Sequence, residues 1–435
     1  MTVTTHMLRR RRFLPLFITQ LLNAFNDNLY KTAMVLFVVY SVYNSEAAEG
    51  TFSAVASAVF ILPFFLLSAL AGQLADMRDK ARIIRIVKAA EIGIMTVGAA
   101  GLLLASKGIA VDLVAIPLLM LALFAMGVHS TFFGPIKYAI LPQHLEEREV
   151  LAGTGLVEAG TYIAILFGTI IAGWIPVEAA AAAVVLTAVA GYLVSRHVPP
   201  APAQGEVEPL DYHFVRSSIA LVRNTSHDRR VFLAIMAISF FWTIGAVLFI
   251  QFPPLAKNVL TASKEVASLF LVIFSIGVAI GSVSVNALLK GTVSARYSPV
   301  SVVAMGGFVL AFYLVCRTWV PETDGTLLDT GEFIAHSMAI PLLLSLLGIA
   351  VAGGMFVVPL YAFLTTFVPK TQTARTIAAN NIVNSGAMVG GSLLATGLSA
   401  AGVEIVHHLL LTAAMCLVSA WLGLLLLRAE RAALA

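Results

Sequence analysis

About twelve apolar stretches of roughly 20 residues or more follow one another along this chain, each long enough to cross a hydrocarbon core of roughly 30 Å. Such a pattern requires lipid, and in lipid only helices and closed barrels satisfy every backbone hydrogen bond. A barrel would read as alternating strands of about 10 residues, whereas these apolar runs are continuous. The fold class is therefore an all-α, multi-pass membrane protein. The spans read 13–43, 51–75, 82–106, 111–139, 150–175, 177–195, 230–256, 264–290, 298–319, 337–367, 374–400 and 404–428. Composition agrees, with 59% of residues hydrophobic and only 11% charged.

The charges fall on alternate sides of these spans. Arg9 to Arg12, Arg78, Lys80, Arg82, Arg85, Lys88, Arg148, Arg196, Arg216, Arg223, Arg229, Arg230, Lys290, Arg296, Lys370, Arg375, Arg428 and Arg431 read on one side and make up most of the 27 basic residues. Glu46, Glu49, Glu178, Glu322, Asp324, Asp329, Glu332 and Glu404 read on the other. The positive-inside rule then places both termini in the cytoplasm. The net charge of +4 arises in the basic loops, so it suits anionic headgroups and not nucleic acid. The first apolar run is too long for a signal-peptide core and no small-residue cleavage site follows it, so that helix is expected to stay in the protein. Cys316 and Cys416 are too sparse for a disulfide framework or a metal site. No cofactor or metal is expected, and the chain is expected to work as a monomer.

The longest polar interruption, about His197 to Arg230, opens with Pro199, Pro200 and Pro202. It divides the chain into residues 1–195, a linker at 196–230 and residues 231–435. Phe214, Val215, Ile219 and Val222 stand among Arg and Ser in the linker, which reads as a tether carrying a short amphipathic helix. The halves echo each other: Leu141-Pro142-Gln143 leads through Arg148 into a Gly/Thr-rich helix, and Val368-Pro369-Lys370 leads through Arg375 into an Asn/Gly-rich one. Internal duplication is common in transporters, whose site lies near the midplane and whose access alternates as one half rocks against the other.

Between the second and third spans stands Gly72-Gln-Leu-Ala-Asp76-Met-Arg78-Asp-Lys80-Ala-Arg82. Gly72 offers a tight helix end and Asp76 an acid at a helix terminus, with Arg78 and Arg82 able to pair with it and with lipid phosphate. The segment resembles the G-x-L-A-D-r-x-G-r-k loop of the major facilitator superfamily, with Asp79 where that family usually has Gly. The resemblance implies a transporter of two six-helix halves.

Polar residues inside the spans are the candidates for function, because a charge at mid-bilayer costs several kcal/mol unless it faces a partner or a wet cavity. Asp27 and Lys31 sit one turn apart in the first span, and Asp27 lies about 21 Å along it at roughly 1.5 Å per residue. Gln20, Asn23, Asp27 and Lys31 share an arc of roughly 80°, with Tyr30 beside them. Lys137 stands near the end of the fourth span, and Thr154, Glu158, Thr161 and Tyr162 form a stripe on the fifth. Glu91 and His129 read as structural. The second half offers amides and hydroxyls instead, among them Gln251, Asn286, Asn380, Asn381 and Asn384. Its first helix is aromatic, with Phe240, Phe241, Trp242, Phe249 and Phe252, and ends at Pro253-Pro254; its rings read either as packing or as an apolar pocket.

At these residues the resemblance narrows. Leu22-Asn-Ala-Phe25-Asn-Asp27-Asn28, Gly134-Pro-Ile-Lys137-Tyr138, Gly155-Leu-Val-Glu158-Ala, Ser239-Phe-Phe-Trp242 and Gly353-Gly-Met-Phe-Val-Val-Pro359 together resemble the bacterial lysophospholipid transporters, including the transporter domain fused to acyltransferases. The resemblance implies facilitated movement of lysophospholipid, such as lyso-phosphatidylethanolamine, from the outer to the inner leaflet of the cytoplasmic membrane, with an acyltransferase as functional partner. A headgroup of mixed charge would meet Asn23, Asp27, Tyr30, Lys31, Lys137, Glu158, Gln251 and Asn384. The acyl chain would meet Phe241, Trp242, Phe249 and Phe252, and Gly72, Asp76, Arg78 and Arg82 would serve gating. Two departures stand out: Phe249 occupies a place where those transporters tend to carry Arg, and Asn384 one where they tend to carry Glu.

Two rivals compete. A proton-coupled exporter of drugs or small solutes would use Asp27 or Glu158 as its proton carrier; the adjacent Lys31 stabilises the carboxylate of Asp27 and disfavours it in that role. A membrane acyltransferase would need a base and its partner, yet none of the nine His residues is followed five positions later by Asp; the nearest arrangement is His144 with Glu149. No G-x-S-x-G or nucleotide loop occurs either, so transport without chemistry is expected.

Overall fold

Every one of those apolar stretches is helical in the computed structural model, which describes residues 7–42, 46–204, 209–320 and 327–434. The spanning helices are α1 (Leu14–Phe37), α2 (Glu46–Met77), α3 (Lys80–Ser106), α4 (Ile116–Ala139), α5 (Glu147–Trp174), α6 (Val177–Ser195), α7 (Arg229–Asn258), α8 (Lys264–Leu289), α9 (Ser298–Thr318), α10 (Ala339–Thr366), α11 (Thr373–Ala400) and α12 (His408–Leu434). Eleven of these segments among the described residues are long and apolar enough to cross a bilayer. With 24 residues, α1 is long enough to be the twelfth, and its polar face lowers its hydropathy. Among the described residues the one strand-like pairing is an isolated bridge between Ala262 and Leu328. Tyr43, Glu322 and Asp324 lie outside the described residues, as do the side chains of Glu46, Glu49 and Phe214.

Helix starts follow local chemistry. The carboxylate of Asp79 accepts from the amides of Ala81 and Arg82 at 2.8 and 3.3 Å, so it caps α3. Glu146 and Glu149 form a reciprocal capping box at α5. Arg10 and Arg12 fold back onto the same Glu149 at 3.1 and 2.5 Å. Asp228 caps α7. One expectation needs correction here: α7 does not end at Pro253-Pro254 but continues to Asn258. Membrane helices tolerate proline because neighbouring groups re-satisfy the freed carbonyls. The linker does carry a helix, Phe214–Thr225. It is fastened to α2 where Gln73 donates to Ser217 at 2.9 Å and accepts from the amide of Asp211 at 3.2 Å.

Two compact units emerge. The first comprises Met1–Gly153, Gly160–Asn224 and Val368–Ile382. Within it α1 packs on α6, α2 on α4, and α3 on both α4 and α6. Its apolar core gathers Leu29, Met34, Met95, Leu119, Leu123 and Val184. The second unit comprises Thr154–Ala159, Thr225–Phe367 and Val383–Ala435. Here α7 packs on α12, α8 on α10, and α9 on both α10 and α12, the same scheme repeated. Its core is aromatic: Phe252 meets Phe270 at 5.8 Å, and Phe270 meets Phe312 and Phe333 at 6.2 and 6.0 Å, all edge to face.

Candidate functional site

The polar face of α1 meets a chain of buried polar groups inside the first unit. Asn23 donates to Oδ2 of Asp27 at 3.1 Å, and the hydroxyl of Ser130 on α4 donates to the same oxygen at 2.7 Å. Oδ1 of Asp27 is buried and has no hydrogen-bond partner among the described residues. On its other side the amide oxygen of Asn23 accepts from Nζ of Lys88 on α3 at 3.2 Å. Lys88 is fully buried and forms an ion pair with Glu91, one turn further along α3. The second oxygen of Glu91 accepts from Asn26 of α1 at 2.8 Å, and His129 of α4 approaches Glu91 at 3.6 Å. Burying Lys88 and Glu91 together follows from the cost of an unpaired ion in a medium of low dielectric.

Lys31 stands apart from this chain. Its ammonium attracts Asp27 but makes no direct ion pair with it among the described residues; it lies over the ring of Phe60, 5.6 Å from the centroid. The side chains of Asp27 and Lys31 are each only half-buried although they belong to the middle of a spanning helix. The expected pair thus becomes two charges on one face of α1 that attract each other without direct contact. The carboxylate keeps one oxygen free of protein donors, and the ammonium keeps no carboxylate within bonding distance.

Tyr30 does not join them. Its hydroxyl donates to the carbonyl of Leu119 at 2.9 Å and its ring is sealed in the core against Gly98, where an added Cβ would lie 2.5 Å from the ring. A tyrosine held at both ends is a packing element, which corrects its expected headgroup role. Lys137 is half-buried and lies 4.8 Å from the ring centroid of Tyr138. Glu158 is buried at 1% exposure and belongs to the short stretch of α5 grouped with the second unit.

In the second unit two of the expected amides, Asn384 and Gln251, have local partners. Asn384 accepts from the hydroxyl of Ser239 at 2.7 Å, and Gln251 meets Nδ1 of His408 at 2.7 Å. Trp242 donates to the hydroxyl of Tyr361 at 2.8 Å, with Phe241 edge-on to its ring at 5.6 Å. Phe249, where the resemblance leads one to expect Arg, packs edge to face on Phe274 at 5.0 Å and Phe252 at 5.7 Å. Phe252 is 1% exposed and its ring is occupied by core packing.

The motif after α2 works differently from expectation. Asp76 is 1% exposed and accepts from the backbone amides of Ala374 and Arg375 at 2.9 and 3.0 Å, capping the first turn of α11 within the first unit. The Arg375 side chain approaches it at 4.0 Å. Arg78 and Arg82 are exposed instead, so they are not its partners. Gly72 does not end its helix, which runs on to Met77. It gives room to α11: a Cβ there would lie 2.7 Å from Cβ of Ala378 and 3.0 Å from Cα of Arg375.

Residues 16–389 match the family model of the Major Facilitator Superfamily, and the chain belongs to that superfamily: it is a multi-pass membrane transporter and not an enzyme. Among its relatives is the lysophospholipid transporter LplT of Serratia proteamaculans (strain 568), 25% identical over 415 residues that cover 92% of this chain and 91% of that protein. LplT of Salmonella newport (strain SL254) is 23% identical over 388 residues, covering 86% and 85%. Among solved structures, the human organic anion transporter MFSD10 superposes with a TM-score of 0.72 at 14% identity, over 95% of this chain and 99% of that one. A bacterial homologue of ferroportin in an outward-facing state gives 0.71 at 13% identity, over 96% and 99%. These likenesses establish the fold.

Proposed function

We propose that this transporter moves lysophospholipids, lyso-phosphatidylethanolamine among them, from the outer to the inner leaflet of a bacterial cytoplasmic membrane by alternating access. Both termini lie in the cytoplasm in this reading, the working unit is a monomer, and an acyltransferase consumes the delivered lipid. The observation that carries it is the pair of unspent charges on α1: Oδ1 of Asp27 has no protein donor, and Lys31 has no carboxylate within ion-pair distance among the described residues. A headgroup with an ammonium and a phosphate supplies one partner for each, and satisfying both inside a membrane gives the affinity that neither charge obtains from the protein. The similarity to lysophospholipid transporters over most of the chain supports the same cargo.

The test is uptake of labelled lyso-phosphatidylethanolamine by spheroplasts expressing wild type or Asp27→Ala at matched levels, with and without an uncoupler. Losing a charge-assisted contact worth about 2 kcal/mol lowers uptake at subsaturating lipid by about thirtyfold in Asp27→Ala. Wild-type uptake is expected to survive the uncoupler. Wild-type uptake no greater than that of empty vector would sink the lipid assignment, and uptake abolished by the uncoupler would move the protein to the proton-coupled exporters.

A further inference from the structure

We infer that Lys88 is a positioning residue of the headgroup site, acting through Asn23 to fix which oxygen of Asp27 is left without a protein donor. The inference rests on the reading of Asp27 as a headgroup acceptor. An asparagine amide can sit either way round, with its oxygen and nitrogen exchanged, and its neighbours decide. An ammonium is a donor with no acceptor, so Nζ of Lys88 at 3.2 Å demands the oxygen of Asn23 on its side. The NH2 group then faces Asp27 and donates to Oδ2 at 3.1 Å. Ser130 donates to that same oxygen at 2.7 Å, so both protein donors converge on Oδ2 and the buried Oδ1 is left without one among the described residues.

Lys88 is itself held in place. Glu91 neutralises it from the next turn of α3, and Asn26 ties Glu91 back to α1 at 2.8 Å. On α6, Gly191 leaves the space the lysine stem occupies: a Cβ there would lie 2.9 Å from Cε of Lys88. The ammonium is thereby confined between α1 and α6. The charges acting on Asp27 are Lys31 on its own helix and Lys88 and Glu91 on α3; Ser130 donates to it from α4, and His129 of α4 faces Glu91.

The experiment compares wild type, Asn23→Ala, the double variant Lys88→Met/Glu91→Gln, and the triple combination. Removing both charges at once leaves no lone buried ion, and the amide oxygen introduced by Glu91→Gln still accepts from Asn26. Purified proteins are reconstituted for uptake of lyso-phosphatidylethanolamine, and each is melted in detergent without lipid cargo. A lost charge-assisted hydrogen bond corresponds to a rise in KM of about tenfold in Asn23→Ala and in the double variant, with Vmax within about twofold. The triple variant is expected to show no further rise, because both changes cut one chain. KM effects that multiply, or a fall in Vmax with KM unchanged, would overturn the positioning role and leave Lys88 a structural cation. If wild type takes up no lipid, the functional reading fails and this inference fails with it. The melting cycle separates the two failures, since additive shifts in melting temperature would break the link from Lys88 to Asn23 itself.

Discussion

The two units repeat one packing scheme and fill it with opposite chemistry. In the first, α1, α3 and α4 are joined by a chain of polar groups from Glu91 through Lys88 and Asn23 to Asp27 and Ser130. In the second, rings pack across α7, α8 and α9, from Phe249 through Phe252 and Phe270 to Phe312. Rings cohere by dispersion and area, tolerate neighbours of similar size and carry little information about a ligand. A buried polar chain coheres through its pairings, each pairing fixes an orientation, and an atom left unpaired is costly. The comparison teaches that the helix pairings set the scaffold, while a handful of buried polar residues decide where a charged cargo can be recognised.

The largest effect comes from breaking the polar side of the comparison alone. Glu91→Ala leaves Lys88 as a lone ion in an apolar interior and is expected to cost about 4 kcal/mol, read as a fall in detergent melting temperature and in folded yield. A variant as stable as wild type would show that Lys88 finds another anion and that the chain is not closed as described. The matching cut in the second unit is Phe270→Ala, which opens a cavity among Phe252, Phe312 and Phe333. It is expected to cost about 3 kcal/mol through lost packing. Because no charge is disturbed, KM for lipid in the surviving folded protein should stay within about twofold of wild type. A KM shift as large as that of Asp27→Ala would place the ring cluster in the cargo site and erase the contrast.

The same contrast explains what was legible in the sequence. Span positions were legible to within several residues because hydropathy dictates them, and errors arose where hydropathy is silent. One was the run of α7 through Pro253-Pro254, and another the extension of α12 to Leu434 through Arg428, Glu430 and Arg431. On α1, Asn23 and Asp27 were legible from helical spacing. Tyr30 was misread because spacing gives an arc and not the direction in which that arc faces, and its ring turns into the core. Lys88 was missed as a buried charge because it ends a run of basic residues that starts at Arg78. Yet it already stood inside the expected span at 82–106, three residues before Glu91, and that i,i+3 pair was the available signal. Ser130 carried none: one hydroxyl on an apolar helix becomes a partner of Asp27 only when α4 is docked. In the motif loop, the acid was legible and its partners were not, because Ala374 and Arg375 lie almost 300 residues away in sequence.

Asp76 offers a smaller test, at the edge of the first unit. Asp76→Ala removes the acceptor for two amides at the start of α11 and is expected to cost about 1–2 kcal/mol, in the range of a lost N-cap. The cost should be local. Hydrogen exchange at the amides of Ala374 and Arg375 should accelerate while the amides of α3 around Lys88 and Glu91 remain as protected as in wild type. Faster exchange throughout α3 would mean that the polar chain depends on the cap, so that the interior of the first unit is less self-contained than the comparison holds.

The smallest effect lies outside the spans, where the first unit meets water. His144 follows α4 and its Nε2 meets the carbonyl of Pro200 at 3.3 Å. Burial lowers its proton affinity below the ordinary histidine value; the Pro200 carbonyl and Asp79 act the other way, and Arg12 and Lys80 reinforce the burial. In the unfolded chain the same imidazole binds a proton near pH 6.5. As pH falls below about 6.5 the unfolded state therefore takes up a proton that the folded state refuses, and stability declines; above that pH the group contributes no slope. His144→Gln removes this linkage. Wild type should lose about 1–2 °C of melting temperature relative to the variant between pH 8 and pH 5.5, with the gap flat above pH 7. A gap that opens in the other direction would mean that the charged imidazole is favoured in the fold, with Asp79 and the Pro200 carbonyl outweighing burial. The basic end of the first unit would then be governed by pairing, as its interior is, instead of by desolvation.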